Sequence, residues 1–214
     1  FQVDSVYVIA PAKVGLMPSS NPLHFKLVYE LPTGRILGAQ AIGKGNADKR
    51  VDVIATLITM GGTIEDLKDL ELSYSPMYST AKDVVNMAAL VANNVMAGRF
   101  RQVHVSAVRD LVESGAYFVD VREENEFANG HIKGAVNIPL SQLRERMSEI
   151  PKDKPVYVHC RSAQRSYNAV MALQGSGWDN VVNVSGSFLG ICLYEYFTDV
   201  QTGREPIVTA YNFK

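Results

Sequence analysis

A cysteine followed by two arginines lies in the last third of the chain. Cys160 comes after the apolar and aromatic run Val156–His159, and the polar loop behind it contains Arg161 and Arg165. Apolar periodicity over residues 167–173 then predicts a helix. A strand, a tight loop and a helix N-terminus in this order favour anion binding, because the loop amides and the helix macrodipole both attract negative charge. We therefore expect a reactive Cys160, held as a thiolate beside the two guanidinium groups.

The alternative interpretation is a buried cysteine at the end of a core strand, since free cysteine is among the most buried residue types. Two arginines and three polar residues within six positions favour the reactive thiol. The expected site is therefore Cys160 as nucleophile and an anion cradle formed by Arg161, Ser162, Ala163, Gln164, Arg165 and Ser166.

The length of this loop distinguishes two chemistries. Four residues separate Cys160 from Arg165. Protein tyrosine phosphatases and their relatives place one more residue there, which leaves room for a tetrahedral phosphate. The shorter loop resembles the active-site loop of rhodaneses, which holds a terminal sulfur as a cysteine persulfide. The spacing therefore favours sulfur transfer over phosphate hydrolysis.

The composition indicates an ordinary soluble globular protein. Its 214 residues are 47% hydrophobic and 20% charged, which is enough for two modest domains. A formal net charge of −1 predicts neither nucleic acid nor an anionic membrane as partner. No apolar run approaches the length of a membrane span, and no signal peptide opens the chain. Cys160 and Cys192 are the only cysteines, which predicts no disulfide framework and indicates a reducing cytoplasm.

The first half reads as strands followed by helices. Strand-like runs occupy residues 3–9, 25–30 and 36–42. A hairpin with Pro and Gly at 31–35 joins the last two runs, and helical spacing over 48–60 ends at Gly61-Gly62. Because Phe1 opens directly into the first strand-like run without an initiator Met, we expect a fragment of a longer protein.

Two pairs of residues predict helix starts. Thr63 and Asp66 have the spacing of a capping box before a short helix. Thr80 and Asp83 repeat that spacing before a longer helix, which Gly98 ends.

The Gly-Lys-Gly-Asn sequence at Gly43 to Asn46 suggests a phosphate-binding loop only superficially. It lacks the third glycine of a dinucleotide fingerprint and the long Gly-to-Lys spacing of a P-loop. We interpret it as a turn before a helix.

The first half also resembles a known family. The motifs that carry the resemblance are residues 37–40, 48–55 and 74–87. They are similar to the C-terminal dimerisation domain of the pyridine nucleotide-disulfide oxidoreductases, in the branch of coenzyme A-disulfide reductase and NADH oxidase. The resemblance covers residues 1–97 and implies an α+β domain, an antiparallel sheet with helices, that forms a homodimer. Ser75-Pro76 stands where glutathione-reductase-like members carry a His-Pro pair, which agrees with the coenzyme A branch.

In that branch, tyrosines of this domain contact coenzyme A bound to the partner subunit. Tyr74 and Tyr78 lie in the matching stretch and are candidates for this role, the alternative being packing at a dimer interface. The resemblance also implies FAD and NAD(P)H in the parent protein, with their sites upstream of this chain.

The second half alternates strands and helices, which predicts a parallel sheet with the Cys160 loop at its carboxyl edge. Helices are expected at 106–114, after Pro139 and at 187–197; short strands are expected at 117–121, 135–138, 156–159 and 180–184. The motifs at residues 120–123, 126–127, 130–139, 159–162 and 184–186 resemble a single rhodanese domain. The resemblance implies an α/β domain over 103–214. Residues 98–102 are the best candidate for a linker between the two domains.

Four further residues have structural interpretations. His131 is expected in a turn, paired with the charges of Asp120, Arg122 and Glu126, rather than acting as a general base. His159 is expected in the sheet core, Cys192 in helix packing and Trp178 as a packing cap on a turn. Ala163 occupies a loop position that is often glycine in rhodaneses, so a positive φ there would strain the loop.

We expect the C-terminal part of a flavin-dependent coenzyme A-disulfide, persulfide or polysulfide reductase, whose Cys160 carries sulfane sulfur. Small sulfur compounds are the expected substrates, and no metal site is expected. The alternatives are a phosphatase or arsenate reductase on the rhodanese fold, and a dimerisation or interaction module without turnover.

Overall fold

The computed structural model describes residues 2–213, which form two compact units that meet in the chain between Arg99 and Phe100. Phe100 is buried in the second unit, where its ring meets that of Tyr167 edge-on. Gln102 already belongs to the first strand of that unit. The domain bounds and the linker given by the sequence patterns stay predictions.

The first unit is built on an antiparallel sheet. Its strands are β1 (Gln2–Pro11), β2 (Pro22–Leu31) and β3 (Ile36–Gly43), in the order β1-β2-β3. Alternation along β2 shows why this sheet forms, since one face consists of the fully buried side chains Leu23, Phe25, Leu27 and Tyr29. The predicted antiparallel sheet with helices is confirmed.

Three helices follow: α1 (Ala47–Thr59), α2 (Ile64–Asp69) and α3 (Val84–Met96). Helix α1 packs on β3, and α3 packs on β1 and β2. The Thr63–Asp66 capping box is present at α2, as predicted. The second predicted box is wrong, because Asp83 itself is the N-cap of α3 and accepts from the Val85 N–H, while the Thr80 hydroxyl donates to the Lys82 carbonyl.

The second unit contains a parallel sheet, as predicted, and this sheet has five strands. Its strands are β4 (Gln102–Val103), β5 (Tyr117–Asp120), β6 (Val136–Asn137), β7 (Val156–His159) and β8 (Val181–Val184), in the order β4-β8-β7-β5-β6. The central strand β7 pairs with β5 and β8, and Val156 and Val158 are fully buried. Parallel sheets are covered on both faces in α/β proteins, which agrees with the largely apolar sequence of β7.

The helices of this unit are α4 (Val108–Glu113), α5 (Glu124–Ala128), α6 (Leu143–Arg146), α7 (Gln164–Gly175) and α8 (Ser187–Thr202). A 3₁₀ turn at Val105–Ala107 precedes α4, and another at Met147–Glu149 follows α6. The helices predicted at 106–114 and after Pro139 are therefore shorter than expected, because in each case part of the periodic stretch forms a 3₁₀ turn. Helix α5 and strand β4 were not predicted.

Among residues 2–213, no helix has the length and apolar character needed to cross a membrane. In the same part of the chain, no group of three or more His, Cys, Asp or Glu side chains is placed to hold a metal ion.

Candidate functional site

Cys160 lies directly after β7, at the carboxyl edge of the parallel sheet, and only 1% of the residue is exposed. The start of α8 fixes the backbone around it. The Phe188 N–H donates to the Cys160 carbonyl at 3.0 Å, and the Leu189 N–H donates to the Arg161 carbonyl at 3.0 Å. The beginning of the loop is thus held by a second segment of chain rather than by its own turn.

Ser187 lies against the cysteine and was not among the predicted site residues. Its Oγ accepts from the Cys160 N–H at 3.1 Å and lies 4.0 Å from the Cys160 Sγ, within reach of a weak O–H···S hydrogen bond. The backbone of Ser187 has a φ of 48°, which brings the hydroxyl back toward the loop. The sequence signal was its position directly after the motif at 184–186.

The loop leaves its amides unpaired. Within the described residues, none of the six backbone N–H groups from Arg161 to Ser166 donates to a protein acceptor. The first intrahelical bond of α7 runs from the Tyr167 N–H to the Ala163 carbonyl at 3.0 Å. Free N–H groups at the start of a twelve-residue helix form a site for an anion or a polarised sulfur atom.

Ala163 is the N-cap of α7 and has a φ of 75°. This is the left-handed region, which an alanine side chain adopts only at a cost of about 1 kcal/mol or more. The strain anticipated for a positive φ is therefore present in the loop.

The two loop arginines have different partners. Arg165 forms a two-pronged ion pair with Glu126, with Nη1–Oε2 and Nη2–Oε1 distances of 2.6 and 2.7 Å. The hydrogen bonds from Arg165 lower the pKa of Glu126, and those to Glu126 raise the pKa of Arg165. In the described chain, Arg161 has no carboxylate within ion-pair distance, and partial burial lowers the pKa of its guanidinium.

A buried ion pair lies beside the site. Arg122 is 2% exposed and bonds Asp120 through Nε and Nη2, at 3.0 and 2.6 Å. Its guanidinium carbon lies 4.1 Å from the centre of the Phe188 ring, so the pair connects β5 to α8. His159 packs between the Phe118 and Phe188 rings, fully buried, and burial lowers its pKa. Its predicted place in the sheet core is confirmed.

The predicted partners of His131 are wrong. Its Nδ1 lies 2.9 Å from the Phe127 carbonyl oxygen, and its ring stacks on the Phe127 ring with 3.8 Å between centroids. Asp120 and Arg122 pair with each other, and Glu126 pairs with Arg165. The imidazole therefore joins the end of α5 to the following turn.

Two other side chains fulfil their predicted packing roles. Cys192 lies in α8 and is fully buried in the hydrophobic core of the second unit as a free thiol, and burial raises its pKa. Trp178 donates from Nε1 to the Ile150 carbonyl at 3.1 Å, with Lys152 Nζ 3.8 Å above its ring.

Comparison with protein families matches both units. The model for the pyridine nucleotide-disulphide oxidoreductase dimerisation domain matches residues 1–85, and the model for the rhodanese-like domain matches residues 104–193. The chain therefore joins an oxidoreductase dimerisation domain to a rhodanese-like domain. The resemblances read from the sequence motifs are confirmed.

Relatives with both units are known from solved structures. The reduced CoADR-RHD of Bacillus anthracis is 44% identical, covering 88% of this chain and 34% of that one, with a TM-score of 0.83. The NAD-dependent persulfide reductase from A. fulgidus is 35% identical, covering 87% of this chain and 34% of that one, with a TM-score of 0.79. The coenzyme A disulfide reductase of Staphylococcus epidermidis is 37% identical over 87 residues, 41% of this chain and 20% of that protein. The chain thus spans about a third of these solved structures and a fifth of this curated relative.

The candidate tyrosines of the dimerisation domain are both exposed, Tyr74 by 50% and Tyr78 by 70%. They lie at a turn in which the Ser75 carbonyl accepts from the N–H groups of Tyr78 and Ser79. Tyr78 lines a cavity of about 560 Å³ together with Lys13 and Lys44, and Tyr74 lies outside this lining. Of the two candidate tyrosines, Tyr78 therefore lines this cavity and Tyr74 does not.

Proposed function

We propose that the rhodanese-like domain carries sulfane sulfur as a persulfide on Cys160, within a longer flavin-dependent coenzyme A-disulfide, persulfide or polysulfide reductase. The supporting observation is the run of six consecutive unpaired amides that follows the cysteine within the described residues. The family match and the persulfide reductase among the similar structures agree with sulfur redox chemistry.

In the proposed step, the Cys160 thiolate attacks the outer sulfur of a persulfide, polysulfide or thiosulfate. A new S–S bond forms to Cys160, and the donor's own bond to that sulfur breaks, its electron pair leaving with the remainder of the donor. The terminal sulfur of the product is anionic, and the amides from Arg161 to Ser166 would hold it. The Ser187 hydroxyl and the α8 amides would keep the cysteine backbone in place during this change.

The test is the intact mass of the chain after treatment with thiosulfate or polysulfide, followed by removal of the donor. The wild type is expected to gain sulfur. Cys160→Ser is expected to take up at least about 100-fold less sulfur than the wild type, because the thiolate is the nucleophile. Cys192→Ala is the matched control, since that thiol is buried in the core, and it should gain sulfur like the wild type. Uptake by Cys160→Ser would contradict the assignment.

The other two functions proposed from the sequence predict different results. A phosphatase or arsenate reductase would turn over an aryl phosphate or arsenate through Cys160. An interaction module without turnover would form a dimer and leave Cys160 unmodified by every donor. The four-residue spacing between Cys160 and Arg165 favours sulfur over both oxyanions.

We propose that FAD and NAD(P)H, which the oxidoreductase family implies, bind in other domains of the parent protein. Within the described residues, the Gly43-to-Asn46 turn directs the carbonyls of Gly45 and Asn46 at the Arg50 guanidinium, at 3.4 and 3.3 Å. The turn thus engages a cation of its own chain, in agreement with its interpretation as a turn before a helix. We also propose homodimerisation through the first domain and a cytoplasmic location, in agreement with the two free thiols.

We propose coenzyme A as a ligand of the dimerisation domain, on the observation that Tyr78 shares its cavity with two lysines. Ammonium groups beside an aromatic ring suit a phosphorylated, partly apolar ligand. Titration calorimetry with coenzyme A on the dimeric chain should show about 10-fold weaker binding for Tyr78→Ala. Tyr74→Ala is the matched control and should bind as the wild type does. Equal affinities for all three proteins would contradict a role for Tyr78.

A further inference from the structure

The charges around Cys160 are more nearly balanced than the loop sequence suggests. Arg165 is held by both oxygens of Glu126, and Arg122 is held by both oxygens of Asp120. Among the described residues, Arg161 is the loop guanidinium without a carboxylate partner. One uncompensated positive charge therefore accompanies the loop.

Glu126 is itself held in place. It lies in α5, and its Oε2 accepts from the Glu123 N–H at 3.2 Å in a capping box. Its side chain is 30% exposed and that of Arg165 is 34% exposed, so the pair lies at the rim of the site rather than in the core. A fork of two charge-assisted bonds from a capped helix keeps the Arg165 guanidinium engaged with Glu126.

We propose that Glu126 determines donor specificity by neutralising Arg165, so that Cys160 prefers sulfur donors with a single negative charge over the thiosulfate dianion. This inference rests on the proposed function, since it requires Cys160 to accept sulfur. The preferred class comprises organic persulfides and thiosulfonates.

The difference arises in the leaving group. When the Cys160 thiolate takes the outer sulfur of thiosulfate, the S–S bond breaks and its electron pair leaves with sulfite, a dianion. The same attack on a thiosulfonate releases a sulfinate, a monoanion. In both reactions Cys160 becomes a persulfide and no external oxidant is needed. A site with one free guanidinium stabilises the monoanion route nearly as well as a site with two, but stabilises the dianion route less well.

The experiment measures the rate of sulfur uptake on Cys160 by rapid quenching and intact mass, with thiosulfate and benzenethiosulfonate as donors. Each rate is divided by the rate of the same donor with a small free thiol, which removes intrinsic reactivity. For Glu126→Gln, the preference for benzenethiosulfonate should fall about 10-fold, because Arg165 regains an uncompensated charge.

Glu149→Gln is the matched control. Arg146 and Glu149 form an ion pair of the same chemistry, at 2.7 Å, in the connection from β6 to β7, and within the described residues Glu149 pairs with no residue of the Cys160 loop. This variant should keep the wild-type preference.

An unchanged preference in a folded Glu126→Gln protein would overturn the inference while leaving sulfur carriage intact. Failure of both donors to modify wild-type Cys160 would instead overturn the proposed function. Trp178 fluorescence reports folding of this domain, since it is the single tryptophan of the chain. If Glu126→Gln does not fold, the wild type alone still tests the inference. A preference of the wild type for thiosulfate, after correction for the intrinsic reactivity of each donor, would contradict a neutralised Arg165.

Discussion

Two strand–turn–helix segments of this chain have similar backbone conformations, but one turn faces a cation and the other can hold an anion. One connects β3 to α1 in the dimerisation domain, and the other connects β7 to α7 in the rhodanese-like domain. In both, the N-cap residue is left-handed, Asn46 with a φ of 50° and Ala163 with a φ of 75°, and neither cap side chain bonds the helix.

The difference lies in what packs against each turn. In the first, the buried Arg50 enters from α1 and donates to the carbonyls of Ala12, Gly45 and Asn46 and to Asp83. In the second, α8 occupies the carbonyls of Cys160 and Arg161 and leaves the amides free. One turn therefore surrounds a cation and the other can surround an anion. Within the described residues, the backbone N–H groups from Lys44 to Lys49 also have no protein acceptor, so the two turns differ in the group that approaches their carbonyls and not in the pairing of their amides.

The largest predicted effect is at Asp83, the carboxylate that pairs with the Arg50 guanidinium of the first turn. Asp83→Ala leaves the Arg50 guanidinium buried without its carboxylate and also removes the N-cap of α3. We expect a loss of about 3–5 kcal/mol in the free energy of opening of the first domain. Hydrogen exchange of the α1 and α3 amides, followed by mass spectrometry, measures it.

The control for Asp83 is Glu65→Ala, which removes an exposed ion pair with Lys68 in the same domain. Its expected cost is much smaller than that of Asp83→Ala, because solvent screens exposed pairs. Similar costs for the two variants would mean that the buried Arg50–Asp83 pair does not hold the first turn.

A smaller effect is expected at the second turn. Ala163→Gly removes the Cβ from a left-handed residue and should stabilise the rhodanese-like domain by about 1 kcal/mol. A urea titration followed by Trp178 fluorescence reports this domain specifically.

The matched change in the first turn, Asn46→Gly, should alter stability by only about 0.3 kcal/mol, because asparagine tolerates the left-handed region. Hydrogen exchange of α1 provides the measurement. A destabilised Ala163→Gly together with a stabilised Asn46→Gly would reverse the comparison and show that Ala163 has a packing role.

The sequence predicted most of the architecture because local rules act within a few residues. The strand-like runs at 25–30 and 36–42 gave two strands of the first sheet, and the spacing of Thr63 and Asp66 gave a real capping box. The same spacing at Thr80 and Asp83 misled, because Asp83 is engaged by Arg50 from a distant helix and caps α3 itself. Short helices such as α5 carry too few residues for periodicity to show.

The sequence by itself determined the two domains, the parallel and antiparallel sheets and the loop that follows Cys160. These depend on apolar period, turn residues and motif spacing, which are properties of neighbouring positions. The tertiary structure alone decided that Glu126 neutralises Arg165, that Ser187 supports Cys160, and that Tyr78 rather than Tyr74 lines the cavity with the lysines. Each of these joins residues far apart in the chain, and charge and hydrogen bonding act over distance in space rather than in sequence.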